Sequence, residues 1–419
     1  MAYDDHVSIL LIGIIAFVLL MITLLLFVTI YRRASHGKKY KKLDRLRDHY
    51  REKVAGILEQ GMMPEGFADL ESRPNSIAWQ AVESVLHVFI ADGKYGDQAR
   101  ILFHQLGYVD FYERKVNSRI RITKATAVDK LGKMRSETST GKLIPLLEDE
   151  NPEIVAVATR ALSKIGSEKG LHSILEMMPK LLSDARITRK TLETSLMNFG
   201  PHSLPTLIEH GERYTDPMPR ASILEVLSNM KTREALPFAL ANFRHADPEV
   251  RSKALKVVGA AGAELPKADK EKVLLLLDDP VWFVRLQAAK ALGNLKFGTA
   301  EDALAARLLD GSWQVRNAAA MALTMASDKA ADIFLRTLDS KDRYAKESIC
   351  EEIEKTNFVA KLIDNLDSKD KVLFGKSLEI LKLMHSLNYS TPLVEYEKAG
   401  PNERIRKEVE QILRMEPAA

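Results

Sequence analysis

The chain is poor in the features that usually announce chemistry. It has one cysteine, Cys350, so no intrachain disulfide and no cysteine-rich metal site can form. Its ten histidines are scattered. His202 and His210 lie close together, but no glutamate sits between them at the spacing of a zinc-binding helix motif. No phosphate-cradling loop occurs; Gly259-Ala260-Ala261-Gly262 is too short and follows a helical stripe instead of a strand. Cys350 stands among Glu347, Glu351 and Glu352, where negative charge discourages a thiolate, so it reads as a buried bystander. Aromatics make up only 7% of residues, and Gly and Pro are modest at 21 and 16 of 419, which leaves no room for a low-complexity tract. These absences leave catalytic, metal-binding and cofactor-binding residues unassigned, and no enzyme activity is expected.

Net charge is also small, but it is unevenly placed. The net charge is +4. Residues 32–53 carry ten Lys and Arg against Asp44, Asp48 and Glu52, and residues 54–419 are close to neutral. A near-neutral body argues against nucleic acid as a partner. The local excess follows a stretch, Val7 to Tyr31, without any charged residue. That length suits a helix crossing a hydrocarbon core of about 30 Å. No Lys or Arg precedes it and no small-x-small site closes it, so a cleaved leader fits poorly. Asp4 and Asp5 lie before the stretch, and Arg32, Arg33, Lys38, Lys39, Lys41 and Lys42 after it. By the positive-inside rule the N-terminus is expected outside a cell inner membrane and the bulk of the chain in the cytoplasm. The six basic residues could also meet anionic lipid headgroups, although setting topology alone would account for them.

The expected organisation is therefore a short extracytoplasmic N-terminus (1–6), a transmembrane helix (7–31), and a basic juxtamembrane segment with a stalk helix (32–66). In the stalk, positions 43, 46, 50, 54, 57 and 58 are apolar at helical spacing, and Gly61, Pro64 and Gly66 end it. Residues 67–116 read as a helical N-terminal cap. It has helices around 77–89 and 98–106 and a run of aromatics at 108–112 that are expected in its core.

What is abundant is repetition. An acidic or Asn-containing turn, then usually Arg, then an apolar stripe recurs ten times. Arg121, Val155, Arg189, Arg220, Arg251, Arg285, Arg316, Lys346, Phe374 and Arg406 stand at the matching position, 28 to 34 residues apart. A fixed period of this size means stacked helix pairs, since one pair cannot bury its apolar face alone. The clearest unit runs from Asp279-Pro280-Val281-Trp282-Phe283-Val284-Arg285 to Ala291-Leu292-Gly293. Asp can cap the second helix of a pair and Pro suits its first turn. Leu131-Gly132, Ile165-Gly166 and Phe199-Gly200 read as stops that use glycine at positive φ.

These units resemble HEAT-like repeats, in particular the short bacterial type also found in phycobilisome-lyase subunits, over about 117–414. The pattern departs from the family at Val155 and Phe374, and the turns after Lys341 and Lys369 lack Pro, so the last repeats are expected to pack less regularly. The expected fold is all-α: a single transmembrane helix followed by an α-solenoid of HEAT-like helix pairs (117–419). In such families the repeated Arg usually pairs with turn carboxylates of its own or the next repeat. The resemblance thus implies a structural ladder of Asp216, Asp247 and Asp279 with Arg220, Arg251, Arg285 and Arg316.

For binding, Trp282, Phe283 and Trp313 are the candidates. Both Trp residues stand three positions before their repeat Arg, so they would recur on one edge. They could serve a protein partner, where Trp and Arg concentrate binding energy, or they could pad the space between repeats. The expected function is a membrane-anchored cytoplasmic scaffold for an unidentified protein partner. The alternative is an enzyme accessory or a lyase-type HEAT protein acting on a chromophore-bearing or otherwise modified protein.

Overall fold

In a computed structural model, the chain is described over residues 2–59, 67–262, 265–327 and 329–415. In the first helix, side chains are described at 13, 16–30, 37 and from 39 onward. Among the described residues every regular element is helical. Two compact units form, Met1–Gly170 and Leu171–Ala419.

The first unit begins with one continuous helix, Ala2–Glu59, in which the expected span and stalk are fused. Its C-terminal part is not a free stalk. Leu43, Val54 and Leu58 are buried, and this part packs against the helix Ile77–Ala91. Lys53 also reaches Asp69 at 2.7 Å. Glu59 is the last helical residue described; the expected stops at Gly61, Pro64 and Gly66 lie outside the described residues.

The expected membrane span is corrected by the structure. Among the described residues no helix is long and apolar enough to cross a membrane. The side chains at 7–12, 14, 15 and 31 lie outside the described residues, as do those of Asp4, Asp5, Arg32, Arg33 and Lys38. With the span goes the single-pass inner-membrane placement, and the membrane-surface role expected of Arg32, Arg33, Lys38, Lys39, Lys41 and Lys42 is left without support. Lys39, Lys41 and Lys42 are simply exposed.

The cap aromatics do form a core. Trp79, Phe103, Tyr108 and Tyr112 are buried. The Trp79 and Tyr108 rings lie 3.7 Å apart, and Tyr108 Oη donates to the Trp79 carbonyl at 3.0 Å. The aromatic run is itself a third helix, Tyr108–Val116, entered through Gly107 at φ 75°. After it come Arg121–Lys133 and Pro152–Ile165, packed on each other.

In the second unit helix pairs stack as a solenoid. The second members of the pairs are Pro217–Met230, Pro248–Ala261, Trp282–Asn294, Trp313–Ala326 and Arg343–Lys355. Each packs against the next, and each starts after the same kind of turn. Small residues make the approach close. A Cβ added to Gly293 would lie 2.9 Å from Ala322 Cα, and one on Gly259 would lie 3.1 Å from Ala291 Cα. Gly132 repeats this inside the first unit against Ala161 at 2.6 Å.

Gly132 is therefore not a helix stop; it lies inside Arg121–Lys133. Arg135 takes the left-handed position after that helix, at φ 50°. Gly166 and Gly200 do hold positive φ, 76° and 78°. Beyond Arg343–Lys355 the row loses its regularity. The helix Lys371–Ser386 packs chiefly on Ala330–Leu338 and Phe358–Asp364, and Lys376 pairs with Asp332.

Candidate functional site

Six of the turns that open helices in the array follow one rule. The residue two places before the N-cap offers an acceptor to the N-cap N–H: Asp279 to Val281, Asp310 to Ser312, and Asp149 to Asn151. His245 Nδ1 does the same for Asp247, and the hydroxyls of Ser340 and Ser368 for Asp342 and Asp370. The turn carboxylate thus occupies one of two places. Asp216 and Asp247 are true N-caps, accepting from Met218 and from Glu249 and Val250. Asp279 sits two places earlier, so it does not cap the helix directly as expected; Val281 holds the N-cap position.

This difference decides which carboxylates enter the ladder. Arg251 donates through Nε and Nη2 to both oxygens of Asp279 at 2.8 and 2.9 Å. Arg285 makes the same fork on Asp310 at 2.8 and 2.7 Å. Each Arg also donates Nη1 to a carbonyl of its own turn, Arg251 to His245 and Arg285 to Asp279, both at 2.9 Å. One guanidinium therefore holds its own turn and the next repeat together, and each of its three nitrogens donates to a fixed acceptor. Burial raises the carboxyl pKa of Asp310, but the bonds from Arg285 and the Ser312 N–H outweigh it and hold the pKa below its ordinary value.

Asp216 and Asp247 are spent on their own helices and among the described residues pair with no Arg, which corrects two expected rungs. Arg220 instead bonds the carbonyl of Tyr214 and the side chain of Asn242. Arg316 bonds the carbonyl of Asp310 and, at 3.4 Å, Ser348. The phase of the repeat is corrected too. Arg121 and Arg189 are first residues of their helices, whereas Arg220, Arg251, Arg285 and Arg316 are fourth. The fourth residue of Arg121–Lys133 is Lys124, and it pairs with Asp149 at 2.9 Å. These pairs are structural staples. Sequence reasoning missed Asp149, Asp310 and Lys124; the signal was an Asp two places ahead of the N-cap and not at the cap itself.

The aromatic candidates lie elsewhere on the same turns. Trp282 and Trp313 are each the first residue of adjacent second helices. They are 42% and 59% exposed, so neither ring fills the space between repeats. Phe283 is half-buried and meets Trp282 edge-on at 5.7 Å. The next turn adds Tyr344, 68% exposed, with the Arg316 guanidinium 5.7 Å from its ring centre. Tyr344 and Met218, also exposed, were not singled out from the sequence, although both occupy the second helical position of their repeats. Between Trp282 and the following turn lies an open depression of about 660 Å³. Pro280, Val281, Trp282 and Arg285 line one side and Gly311, Ser312 and Gln314 the other.

The remaining titratable groups offer no matching constellation. Among the described residues no group of three or more His, Cys, Asp or Glu could hold a metal ion. Cys350 is buried, and its thiol pKa is pushed up to about 12 by burial and then by Glu354.

Residues 116–196 and 270–354 match the family of HEAT repeats. Among curated proteins none matches. Among solved structures the chain is similar to an engineered protein at 17% identity, covering 83% of this chain and 97% of that one, with a TM-score of 0.33. It is similar to Kap121p bound to RanGTP at 15% identity, covering 87% of this chain and half, 50%, of that one, with a TM-score of 0.46. A third is human deoxyhypusine hydroxylase in complex with glycerol, at 19% identity, 58% and 95% coverage, and a TM-score of 0.26.

Proposed function

We propose that the chain is an interaction scaffold whose second unit binds a protein partner along the edge carrying Trp282 and Trp313. One observation carries this reading: two Trp side chains at the same helical position in consecutive repeats stand exposed instead of buried. Large rings left in water forgo about 25 cal/mol for each Å² of apolar area they could bury. A protein that binds nothing there gains nothing by placing two on one edge. The staples beneath them support a rigid platform, which lowers the ordering cost of binding. The reading assigns binding to this edge and no covalent step.

A photo-crosslinking residue at Gln314, beside the depression, tests it in cells. One protein species is expected to be trapped there, and the yield should collapse in the Trp282→Ala/Trp313→Ala variant. The variant must keep its thermal unfolding temperature within a few degrees of the parent, as expected for exposed side chains. Trapping that persists unchanged without both rings overturns the reading.

A further inference from the structure

The first unit holds a polar cavity of about 440 Å³ that neither the ladder nor the aromatic edge uses. Gln80, Glu83, Ser84 and His87, spaced by three and four residues on one face of Ile77–Ala91, form one wall. Arg47 of the first helix, Tyr112 of Tyr108–Val116 and Lys130 of Arg121–Lys133 stand around it. Seven buried side-chain nitrogen and oxygen atoms lack a hydrogen-bond partner among the described residues. Three of them belong to this lining: Glu83 Oε1, His87 Nε2 and Arg47 Nε. A buried polar atom without a partner never recovers its desolvation cost, so three at one cavity call for an occupant that pairs with them.

Glu83 is the most enclosed of the three, at 3% exposed. Its Oε2 accepts from Tyr112 Oη at 3.3 Å. Lys130 Nζ stands 3.0 Å from Oε1 but off the line of a hydrogen bond. His87 Nε2 stands 3.9 Å from the same oxygen, too far for one. Burial raises the Glu83 carboxyl pKa, but His87 and Lys130 outweigh it and hold the group below its ordinary value. The ionised carboxylate only accepts.

Two counts give the chemistry of the occupant. The first is charge. Lys130 balances Glu83, and Arg47 Nη1 is held on Asp44 at 3.0 Å. Apart from His87, the lining has no other acid or base. The fixed charges cancel, so a neutral ligand fits. The second count is hydrogen bonding. Glu83 Oε1 needs a donor, Arg47 Nε needs an acceptor, and His87 Nε2 takes either role with its tautomer. A hydroxyl is donor and acceptor at once. One hydroxyl oxygen can lie within hydrogen-bond reach of two atoms 3.9 Å apart, donating to Glu83 and accepting from His87. Arg47 then requires a second oxygen. Ser84 and the Gln80 amide offer further neutral partners on the same wall. The volume lies at the small end of ligand cavities, which run from about 300 to about 1,000 Å³.

We infer that this cavity binds a neutral polyhydroxylated molecule of monosaccharide size, with one hydroxyl shared by Glu83 and His87 and a second oxygen on Arg47. The inference goes beyond the protein-binding reading and stands without it. Its contacts come from the first helix on one side and the cap on the other, so the bound sugar stabilises the joint between them.

Isothermal titration calorimetry on the full chain tests it, with glucose, galactose, mannose, ribose and inositol as neutral probes and glutamate and inorganic phosphate as charged comparators. At least one neutral probe should bind saturably, with an affinity almost independent of salt. Glu83→Gln and Arg47→Met should each weaken that binding by about tenfold or more, since each removes a hydrogen bond made by a charged group. The unfolding temperature checks that both variants fold. Arg47 is half-exposed, so Arg47→Met decides alone if Glu83→Gln does not fold. Binding of none of the neutral probes overturns the inference, as does affinity unchanged in a folded variant. Tighter binding of phosphate or glutamate than of every neutral probe overturns it too, because the site then belongs to an anion.

Discussion

Arg251 and Asp279 lie 28 residues apart and face each other through two parallel hydrogen bonds of 2.8 and 2.9 Å. The pair joins two consecutive repeats at a point where the carboxylate is almost fully buried. Its consequences for stability can be measured.

Removing one partner strands the other. Asp279→Ala or Asp310→Ala should lower unfolding free energy by about 3–5 kcal/mol, because a guanidinium is left without its carboxylate in a poorly hydrated turn. Arg251→Met with Asp279→Leu should recover much of the loss. Chemical denaturation of the single and paired variants gives the coupling.

Acid should loosen the same seams. Glu225 accepts from Lys253 and Lys256 of the next repeat. Burial raises its carboxyl pKa, but the two lysines more than offset this and bring it to about 2. Asp310 is also held low. A carboxyl whose folded pKa is depressed contributes stability that is full above its unfolded value. That contribution is lost as pH falls through the folded value. Stability should therefore decline from about pH 4.5 towards about pH 2, and Glu225→Gln should flatten part of that decline.

The close seams tolerate no added methyl. Gly293→Ala and Gly132→Ala place Cβ at 2.9 and 2.6 Å from an alanine Cα of the next repeat. Each should cost about 1–3 kcal/mol through displacement of a helix. Gly311→Ala meets nothing within 4 Å and should change stability by no more than about 0.5 kcal/mol.

His172 Nδ1 and His210 Nε2 lie 3.3 Å apart in the second unit, a contact that requires one neutral ring. Burial lowers the His210 pKa, followed by the charges of His172 and Arg213, with Glu209 and Glu176 opposing. A histidine whose folded pKa is depressed resists protonation. Its contribution is full above the ordinary value of 6.5 and is lost as pH falls through the folded value. His210→Gln should remove the part of the stability slope that sets in as pH falls below about 6.5.

Much of the architecture could be read from residue spacing. The period near thirty residues, the Ala-rich stripe at 288–291 and the caps at Asp216 and Asp247 all specify stacked helix pairs, because they act locally. The ladder could be read only in part. Whether an Asp serves its own helix or its neighbour's Arg depends on a shift of two residues, and both positions look alike in a linear string. Arg121 and Arg189 drew the phase astray for a similar reason: an Arg at the first helical position mimics one at the fourth. The exposure of Trp282 and Trp313 was undecidable beforehand, since a ring at a helix start can turn either way. For the first helix, a charge-free stretch in the sequence did not translate into an element meeting the length and hydropathy a bilayer demands among the described residues.

Arg251 to Asp279 and Arg285 to Asp310 are the same connection made twice, with donor and acceptor at matching offsets in their repeats. Cutting out residues 280–310 would leave Asp279 followed by Gly311, Ser312 and Trp313, and Arg251 would still find its carboxylate. The tandem array can thus lose or gain a module by recombination without a mismatched joint. Deleting that module would shorten the aromatic edge by one Trp and leave this rung in place.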